Sequence, residues 1–316
     1  MAKILVTGGA GFIGSHLAER LLTHGHQVVC LDSFDDYYSP AIKRENLQKV
    51  VQHPKFTLVE GDVRDAETLD RVFHQHLLDM VIHLAARPGV RASIHVPLLY
   101  EEINVRGTLQ LLEACRRHGV HRFLLGSSSS VYGVRKEGVF SERDEADQPV
   151  SPYAATKRAA ELLCHTYHLL HRIDVVVLRL FTVYGPRQRP EMAIHRFATR
   201  IHRGEPVPIY GDGSSQRDYT YVDDIVEGII LAGENCKGYE IYNLGGFHPV
   251  CLKTVISLIE DGLGRRAQLV YLPEEPGDVP YTCADISKAK SLLGFDPKIS
   301  VEEGIRRFLL WFMHRH

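Results

Sequence analysis

The sequence lacks a large net charge and long apolar runs, and both absences exclude classes of function. Lys and Arg together number 37 and Asp and Glu 39, a formal net charge of −2, so no basic field indicates a nucleic-acid partner. No apolar run reaches the roughly 20 residues that cross a bilayer, and we expect no membrane segment. The first apolar run, residues 3–7, lies almost at the N-terminus, and we expect no signal peptide ahead of it.

The cysteines and histidines lack the spacings of disulfide scaffolds and metal sites. None of the six Cys stands in a Cys-x-x-Cys pair, and none of the 18 His stands in a His-x-x-x-His pair with a helical Glu between. We therefore expect no metal site. Scattered cysteines are typical of buried, reduced thiols, which predicts a cytoplasmic protein without disulfides. The six are Cys30, Cys115, Cys164, Cys236, Cys251 and Cys283.

A glycine-rich turn follows the first apolar run and opens an amphipathic helix. Gly8 permits a tight turn, and Gly11 lets a pyrophosphate approach the backbone at the helix N-terminus, where free N–H groups favour an anion. Gly14 lets the helix lie close on the strand. Strand, turn and helix together predict a dinucleotide-binding site. Phe12 and Ile13 belong to the same turn, and we expect them beside the cofactor.

The second predicted strand ends in an acid, Asp32. An acid here accepts hydrogen bonds from an adenosine ribose and repels a 2′-phosphate, which predicts NAD rather than NADP. Asp62, after the third predicted strand, is a candidate to bind the adenine amino group. The other residues that we expect at the cofactor also follow strands: Ser33, Val63, Leu84, Ala85, Ala86 and Ser127.

Strands and helices alternate six times up to residue 181, and the pattern then changes to Pro/Gly/Arg loops with shorter elements. The alternation predicts an α/β fold with a doubly wound parallel sheet, in which residues 97–118 and 153–171 form long helices. We expect residues 1–181 to form an NAD-binding Rossmann domain. We expect residues 182–316 to form a smaller α+β domain that binds the substrate and interleaves with the sheet.

Tyr153 and Lys157 stand four residues apart at the start of a predicted helix, so their side chains share one face. A general base works best near the operating pH, and an ordinary Tyr has a pKa near ~10. We expect the ammonium and a cationic ligand to lower the phenol pKa by roughly 3 units. Ser128 lies at a strand end, where ligands bind in an open α/β sheet. With a nicotinamide cofactor, these groups predict alcohol oxidation, with Tyr153 as base and Lys157 and Ser128 assisting.

The second half of the chain places arginines in and near its loops: Arg187, Arg189, Arg196 and Arg217. A guanidinium group suits phosphate or carboxylate because it donates two parallel hydrogen bonds. Arg189, in a Pro-rich loop, and Arg217, shortly after residues 211–213, are the strongest candidates. They predict an anionic substrate that carries a diphosphate.

Taken together, these motifs resemble the extended short-chain dehydrogenases/reductases that act on nucleotide sugars, over nearly the whole chain. Within that family the sequence is most similar to the UDP-glucuronate 4-epimerases. The similarity is carried by Phe34-Asp35-Asp36-Tyr37-Tyr38, Arg87-Pro88-Gly89-Val90-Arg91, Ser127 to Ser130, Phe181-Thr182-Val183-Tyr184-Gly185-Pro186 and Arg189-Pro190-Glu191-Met192-Ala193.

The resemblance implies NAD as cofactor and epimerisation at C4 of a UDP-sugar through a transient 4-keto sugar. The residues that we expect at the substrate are Arg91, Ser128, Ser129, Ser130, Thr182, Arg189, Arg196, Tyr210, Arg217 and Asp278.

Sister enzymes place acids where this chain has Ser129 and Ser130. Dehydratases of the family carry an Asp-Glu pair there, and UDP-glucuronate decarboxylases carry a Glu. Many relatives also have Asn at the position of Thr182. Hydroxyls at these positions suit a C6 carboxylate held by neutral hydrogen bonds, which predicts a uronate substrate.

Three other functions stay open on the sequence alone. A UDP-glucose or UDP-N-acetylglucosamine 4-epimerase would share every cofactor and catalytic residue. A UDP-glucuronate decarboxylase is the second, and the missing Glu counts against it. A non-catalytic NAD-binding sensor is the third, and the presence of both Tyr153 and Lys157 counts against it.

Helices 97–118 and 153–171 have more apolar positions than one buried face needs. The family resemblance implies a two-fold homodimer through these helices. The apolar positions in question are Leu98, Leu99, Leu109, Leu112, Leu162, Leu169 and Leu170.

Overall fold

The computed structural model describes residues 1–315. Its strands are β1 (Lys3–Thr7), β2 (Gln27–Asp32), β3 (Phe56–Glu60), β4 (Met80–His83), β5 (Arg122–Ser128), β6 (Asp174–Leu180), β7 (Thr182–Tyr184), β8 (Pro206–Tyr210), β9 (Gln216–Tyr221), β10 (Tyr239–Leu244), β11 (Pro249–Cys251) and β12 (Gln268–Leu272). Its helices are α1 (Phe12–Thr23), α2 (Pro40–Asn46), α3 (Ala66–Gln75), α4 (Val90–His95), α5 (Pro97–Glu101), α6 (Gly107–His118), α7 (Pro152–His171), α8 (Ala193–Arg203), α9 (Val222–Glu234), α10 (Leu252–Leu263), α11 (Ser287–Leu293) and α12 (Val301–Met313).

A parallel sheet of seven strands forms the centre of the described part of the chain, in the order β3-β2-β1-β4-β5-β6-β10. The chain leaves β1 towards β2 and β3, and then crosses back to β4 on the other side. This reversal opens a crevice at the carboxyl ends of the strands, where ligands bind in such sheets. The predicted α/β fold with a doubly wound parallel sheet is confirmed.

Helices cover both faces of this sheet, which explains why its strands are continuous apolar runs. Successive side chains of a strand point to opposite faces. In β1, Val6 therefore packs in the core on one face, where α1 and α9 lie against each other, and Leu5 packs in the core on the other. The second face is covered by α3, α6 and α7.

The second half of the chain contributes both a strand to this sheet and two small sheets beside it. Strand β10 pairs in parallel with β6, while β7, β9 and β11 form one small sheet and β8 and β12 the other. The sequence did not indicate β7, β9, β11 or β12. Three-residue strands are too short to show a period, and β9 reads QRDYTY, a largely polar run.

The prediction of one uninterrupted helix over residues 97–118 is wrong in detail. Helix α5 passes into a π-helical turn, Glu102–Arg106, before α6 begins. The buried Asn104 in this turn accepts a hydrogen bond from the Arg87 backbone N–H at 2.7 Å and donates to Thr156 Oγ1 at 3.0 Å. The turn thus ties the loop after β4 to α7.

Three expectations from composition concern the described residues as a whole. Five of the six cysteines are buried and all six are free thiols, which confirms the predicted burial except at Cys251. Within residues 1–315, no helix combines the length and the apolarity needed to cross a bilayer. Over the same residues, no group of three His, Cys, Asp or Glu side chains is arranged to hold a metal ion.

Candidate active site

The carboxyl ends of the central strands open into a cavity of about 660 Å³. Most residues predicted from the sequence line it. They are Gly8, Gly11, Phe12, Ile13, Gly14, Asp32, Ser33, Asp62, Val63, Leu84, Ala85, Ala86, Ser127, Ser128, Ser129, Ser130, Tyr153, Lys157, Thr182, Arg189, Arg217 and Asp278. Arg91, Arg196 and Tyr210 do not line this cavity and lie next to Asp278 instead.

The glycine turn between β1 and α1 leaves no space for side chains. Gly8 has a φ of +68°, and a Cβ on it would lie 2.7 Å from the backbone nitrogen of Ala85. A Cβ on Gly14 would lie 2.2 Å from the carbonyl oxygen of Gly8, so α1 packs against the backbone of the turn as closely as only glycine permits. The bare backbone and the N-terminus of α1 form a cradle that fits a pyrophosphate.

Two carboxylates line the side of the cavity next to the glycine turn. Asp32 is buried and accepts hydrogen bonds from the backbone N–H groups of Ala10 at 3.0 Å and Phe34 at 2.9 Å. Each carboxylate oxygen keeps a free lone pair, which leaves Asp32 able to accept from a ribose diol. Asp62 forms an ion pair with Arg64 at 2.7 Å. Its predicted contact with adenine stays a prediction.

Helix α7 places Tyr153 in its first turn and Lys157 in its second. Ser151 caps the helix by accepting a hydrogen bond from the Ala154 N–H at 3.1 Å, and Pro152 occupies the first helical position. Such a cap and a proline define where a helix begins. The local sequence therefore sets both the start of α7 and the shared face of Tyr153 and Lys157.

The expectation that Lys157 and a cationic ligand together lower the pKa of Tyr153 concerns the loaded site and stays a prediction. Burial raises the pKa of Tyr153, and a hydrogen bond from Ser128 and the charge of Arg189 oppose this only in part. Burial also lowers the pKa of Lys157 to about 8, against the charge of Glu161. Desolvation is therefore the largest cause of both shifts in the protein without ligands.

A buried carboxylate that the sequence did not indicate lies beneath Lys157 on the same helix. Glu161 is 0% exposed and accepts hydrogen bonds from Ser127 Oγ at 2.5 Å and from Arg179 Nη2 at 2.8 Å. Arg158 adds a third contact at 2.9 Å. Glu161 thereby joins α7 to the ends of β5 and β6. Its spacing of four residues from Lys157 was the available signal.

A cluster of hydroxyls ends β5 and begins the 3-10 turn Ser129–Tyr132. Ser128 Oγ accepts hydrogen bonds from the Ser130 backbone N–H at 3.2 Å and from Ser130 Oγ at 2.9 Å. Ser129 and Thr182 line the same cavity. The cluster therefore offers neutral donors and acceptors close to Tyr153.

Arginines gather around Asp278 at the far end of the cavity. Arg91 pairs with Asp278 at 2.5 Å and stacks over the Tyr210 ring at 4.0 Å, and Arg196 lies 6.0 Å from the same ring. Burial lowers the pKa of both Arg196 and Arg217. Buried guanidinium groups of this kind favour an anionic ligand.

Arg187 is not part of this group, although the sequence offered it as an anion-binding cation. Its guanidinium pairs with Glu19 at 2.5 Å and reaches Ser15 Oγ at 3.3 Å, both on α1. It does not line the cavity. The structure therefore gives Arg187 the role of joining a second-half loop to α1.

Comparison with known proteins agrees with this geometry. Residues 4–245 match the NAD dependent epimerase/dehydratase family. The chain belongs to this family. It is 44% identical over 312 residues to the UDP-glucuronate 4-epimerase of Thermodesulfobacterium geofontis, covering 98% of this chain and 96% of that protein. It is therefore similar to that protein over nearly the full length of both.

Two solved structures of family members are similar over almost the whole fold. The UDP-glucuronic acid 4-epimerase of Bacillus cereus, in complex with UDP-glucuronic acid and NAD, has a TM-score of 0.94 at 39% identity and covers 99% of this chain and 100% of that chain. The UDP-glucose 4-epimerase of Thermotoga maritima, with UDP-glucose, has a TM-score of 0.91 at 34% identity and covers 99% of each chain.

In this member of the family, further cavity residues were not predicted as site residues. Asp35, Tyr37, Lys43 and Arg87 line the cavity above the glycine turn. Tyr37 and Arg87 lie in segments that carried the resemblance to the family. That was the available signal, and it did not indicate that the two segments meet.

Proposed function

We propose that this chain catalyses the NAD-dependent epimerisation of UDP-glucuronate and UDP-galacturonate at C4. The observation that carries the proposal is that a single cavity joins the glycine turn, the Tyr153–Lys157 pair and the acid-free hydroxyl cluster. The structural similarity of the chain to an epimerase that holds UDP-glucuronic acid and NAD supports the same conclusion. The chain is accordingly an isomerase of nucleotide sugars.

NAD fits the residues of the sheet domain. The cradle of Gly8, Gly11 and Gly14 would hold its pyrophosphate, and Asp32 its adenosine ribose. Lys157 would hold the nicotinamide ribose. When bound, NAD supplies an acceptor for hydride from C4 and returns the hydride to the ring.

The chain's own residues supply the proton chemistry. Tyr153 takes the proton of the C4 hydroxyl, and Ser128 shares the hydrogen bond of that oxygen. Burial raises the pKa of Tyr153. Positive charges around the loaded site are therefore needed to lower this pKa towards the pH at which a general base works. Lys157 is one of these charges, and its pKa of about 8 keeps it protonated at neutral pH.

The arginines around Asp278 would anchor the substrate while the sugar turns over. Arg217, which lines the cavity, and Arg91 and Arg196, which lie next to Asp278, suit a diphosphate, since each guanidinium donates hydrogen bonds in a fixed plane. Arg189 lines the same cavity, and its charge acts on Tyr153. Asp278 holds Arg91 in place, and Tyr210 supports it from below. A fixed diphosphate lets the sugar present either face of C4 to the same cofactor.

The hydroxyl cluster would hold the C6 carboxylate. The transient 4-keto uronate is a β-keto acid, which loses CO2 when the bond to the carboxyl group stands perpendicular to the keto plane. Ser129, Ser130 and Thr182 would keep that bond away from this alignment. They offer no acid that could assist elimination or decarboxylation.

UDP-glucose is the second candidate substrate, because the Thermotoga maritima structure is also similar over 99% of the chain. A glucose C6 hydroxyl makes fewer hydrogen bonds than a carboxylate. The cluster of hydroxyls is therefore better matched to the uronate.

The test is to incubate the protein separately with UDP-glucuronate and UDP-glucose and to follow the C4 epimers by NMR. We expect UDP-galacturonate from the first. Tyr153→Phe should reduce turnover by about 10²- to 10⁴-fold, the usual contribution of a general base. Thr182→Ala should release a UDP-4-keto-pentose. Failure of the wild-type protein to convert UDP-glucuronate, or unchanged turnover in Tyr153→Phe, would contradict the proposal.

We also propose that the chain forms a homodimer in the cytoplasm. Leu98, Leu162, Leu169 and Leu170 are 78%, 53%, 58% and 68% exposed on two helices that pack together. Such a set of exposed leucines supports a second buried face. Leu112 is 0% exposed and Leu99 lines the cavity, so neither belongs to that face. The six free thiols support a reducing compartment.

A further inference from the structure

Two loops meet across the cavity above the glycine turn. One follows β2 and contains residues 34–38, and the other follows β4 and contains residues 87–89. In the sheet, β2 and β4 lie on either side of β1. A contact between these loops therefore passes over the carboxyl end of β1, where the pyrophosphate cradle begins.

The contact between the loops is built from an ion pair and a stacked ring. Arg87 Nη1 donates to Asp35 Oδ2 at 3.1 Å, and the Arg87 guanidinium lies 4.6 Å from the centre of the Tyr37 ring. Lys43, on α2, pairs with the same Asp35 carboxylate and donates to its carbonyl oxygen at 2.9 Å. The side chains of Arg87 and Lys43 are only 18% and 7% exposed. Asp35, Tyr37 and Arg87 together are called the bridge.

The β4 side of the bridge is held in place by hydrogen bonds to its backbone. The Asn104 side chain holds the backbone of Arg87 with hydrogen bonds at 2.7 and 3.1 Å. The hydroxyl of Tyr100 donates to the Pro88 carbonyl oxygen at 2.5 Å. A Cβ on Gly89 would lie 2.5 Å from Tyr37 Oη and 3.7 Å from Tyr37 Cζ, so the hydroxyl end of the Tyr37 side chain lies against this glycine. A larger residue at position 89 would displace it.

Two polar atoms of these loops have no hydrogen-bond partner within residues 1–315. They are Arg87 Nε and Tyr38 Oη, both buried and both on side chains that line the cavity. Buried donors are normally satisfied. A bound dinucleotide, rich in phosphate and hydroxyl oxygens, is a ligand that would satisfy them.

We propose that the bridge closes over the bound dinucleotide and retains it from one turnover to the next. This inference rests on the proposed function, because an epimerase that returns its hydride to the sugar regains its cofactor unchanged and has no need to release it. Release then requires the ion pair and the stack to open together. Retention of the cofactor becomes a property of the bridge as well as of the glycine cradle.

The test uses two variants that change the charge of the cavity in opposite directions. Arg87→Met removes a positive charge and Asp35→Asn removes a negative one, yet each abolishes the Asp35–Arg87 ion pair. The holoprotein is loaded with NADH and chased with excess NAD, and the loss of bound-NADH fluorescence gives the release rate. We expect both variants to release NADH about tenfold faster than the wild type, the effect of weakening binding by one ion pair and one stack.

Three further variants serve as a control and as independent tests of the bridge. Arg306→Gln breaks an exposed ion pair with Glu303 on α12 and should leave the release rate unchanged. Gly89→Ala keeps all three bridge side chains, but it crowds Tyr37 Oη and strains a backbone with a φ of +100°, and it should release NADH faster. Tyr37→Leu removes the stacked ring and leaves the charges unchanged, and it serves as the decisive variant if Asp35→Asn does not fold.

The outcomes separate the bridge from simpler explanations. If Asp35→Asn retains NADH as long as the wild type while Arg87→Met does not, Arg87 acts as a direct contact to the cofactor and the bridge is refuted. Unchanged release in all bridge variants refutes it as well. If the bridge variants release NADH faster than the wild type as expected, but the wild type converts no UDP-sugar, the proposed function is refuted and the bridge is not.

Discussion

At the scale of single residues, the site contains a buried lysine, Lys157, whose positive charge is destabilised by burial. Lys157 is 5% exposed, and burial lowers its pKa from 10.5 to about 8. Its nearest compensating charge, Glu161, is shared with Arg158 and Arg179. The chain therefore gives up stability at this position to place an ammonium beside Tyr153.

Replacing this cation should make the protein without ligands more stable. Below about pH 8, Lys157 is charged in both the folded and the unfolded chain, so the full cost of burial, about 3 kcal/mol from the pKa difference, is present. Between about pH 8 and 10.5 the folded chain loses the proton first and the cost disappears. Lys157→Met should therefore raise the free energy of unfolding at pH 7, and the gain should shrink as the pH rises through 8.

Urea denaturation of the cofactor-free protein at pH 7, 8 and 9 would measure this gain. Lys290→Met is the matched control, because Lys290 is an exposed lysine on α11 with a weak surface ion pair, and it should change stability by less than about 0.5 kcal/mol. A gain that is the same at pH 7 and pH 9 would show that the charge of Lys157 is not its source.

At the scale of elements, the closest contact in the site is that of α1 with the glycine turn. Gly14→Ala places a Cβ 2.2 Å from the Gly8 carbonyl oxygen, so the helix must move away from the turn. Overpacking of this kind costs about 1–3 kcal/mol. We expect a lower melting temperature together with a clear loss of NAD affinity, because the cradle moves with the helix. Differential scanning fluorimetry with and without NAD measures both.

The matched control for that change is another helical glycine, Gly233 in α9. A Cβ there would have its nearest neighbour at 3.5 Å, an ordinary contact. Gly233→Ala should be neutral or stabilise by up to about 1 kcal/mol, through a less flexible unfolded chain. Similar losses in both variants would mean that helix glycines matter for a reason other than the cradle.

Whether an element could be predicted depended on its length and on its neighbours. Strand β1 and helix α7 were predicted almost to the residue, because a buried parallel strand and a capped, amphipathic helix leave strong local patterns. The π-helical turn was missed because Asn104 is drawn inward by Arg87 and Thr156, which lie far away in the sequence.

At the scale of the whole molecule, the exposed leucines of α7 predict self-association. Leu162→Glu combined with Leu169→Glu places two charges on the proposed interface and should convert a dimer into a 35.7 kDa monomer. Light scattering after gel filtration measures the mass. Leu292→Glu, at a leucine of α11 that is 58% exposed, should leave the dimer intact. A monomeric wild type, or a double variant that stays dimeric, would contradict the proposed interface.

Contacts between segments far apart in the sequence explain why the site was only partly predictable. The glycine turn, Asp32 and the serines at the end of β5 belong to short local patterns, and each could be found from its own motif. The Arg91–Asp278 pair and the Asp35–Arg87 contact join segments 187 and 52 residues apart. No local pattern marks such a pair, because neither partner alone has an unusual neighbourhood in the sequence.

The sequence by itself determined the motifs from which the chemistry is proposed: the glycine turn, Asp32, Tyr153 with Lys157, and the serines in place of acids are all short-range patterns, and local sterics and helix geometry suffice to interpret them. Only the tertiary structure decided the electrostatic state of Tyr153 and Lys157, since burial depends on the helices and strands packed around them. It alone also decided which charges meet across the cavity, because long-range contacts arise from packing that no single segment encodes.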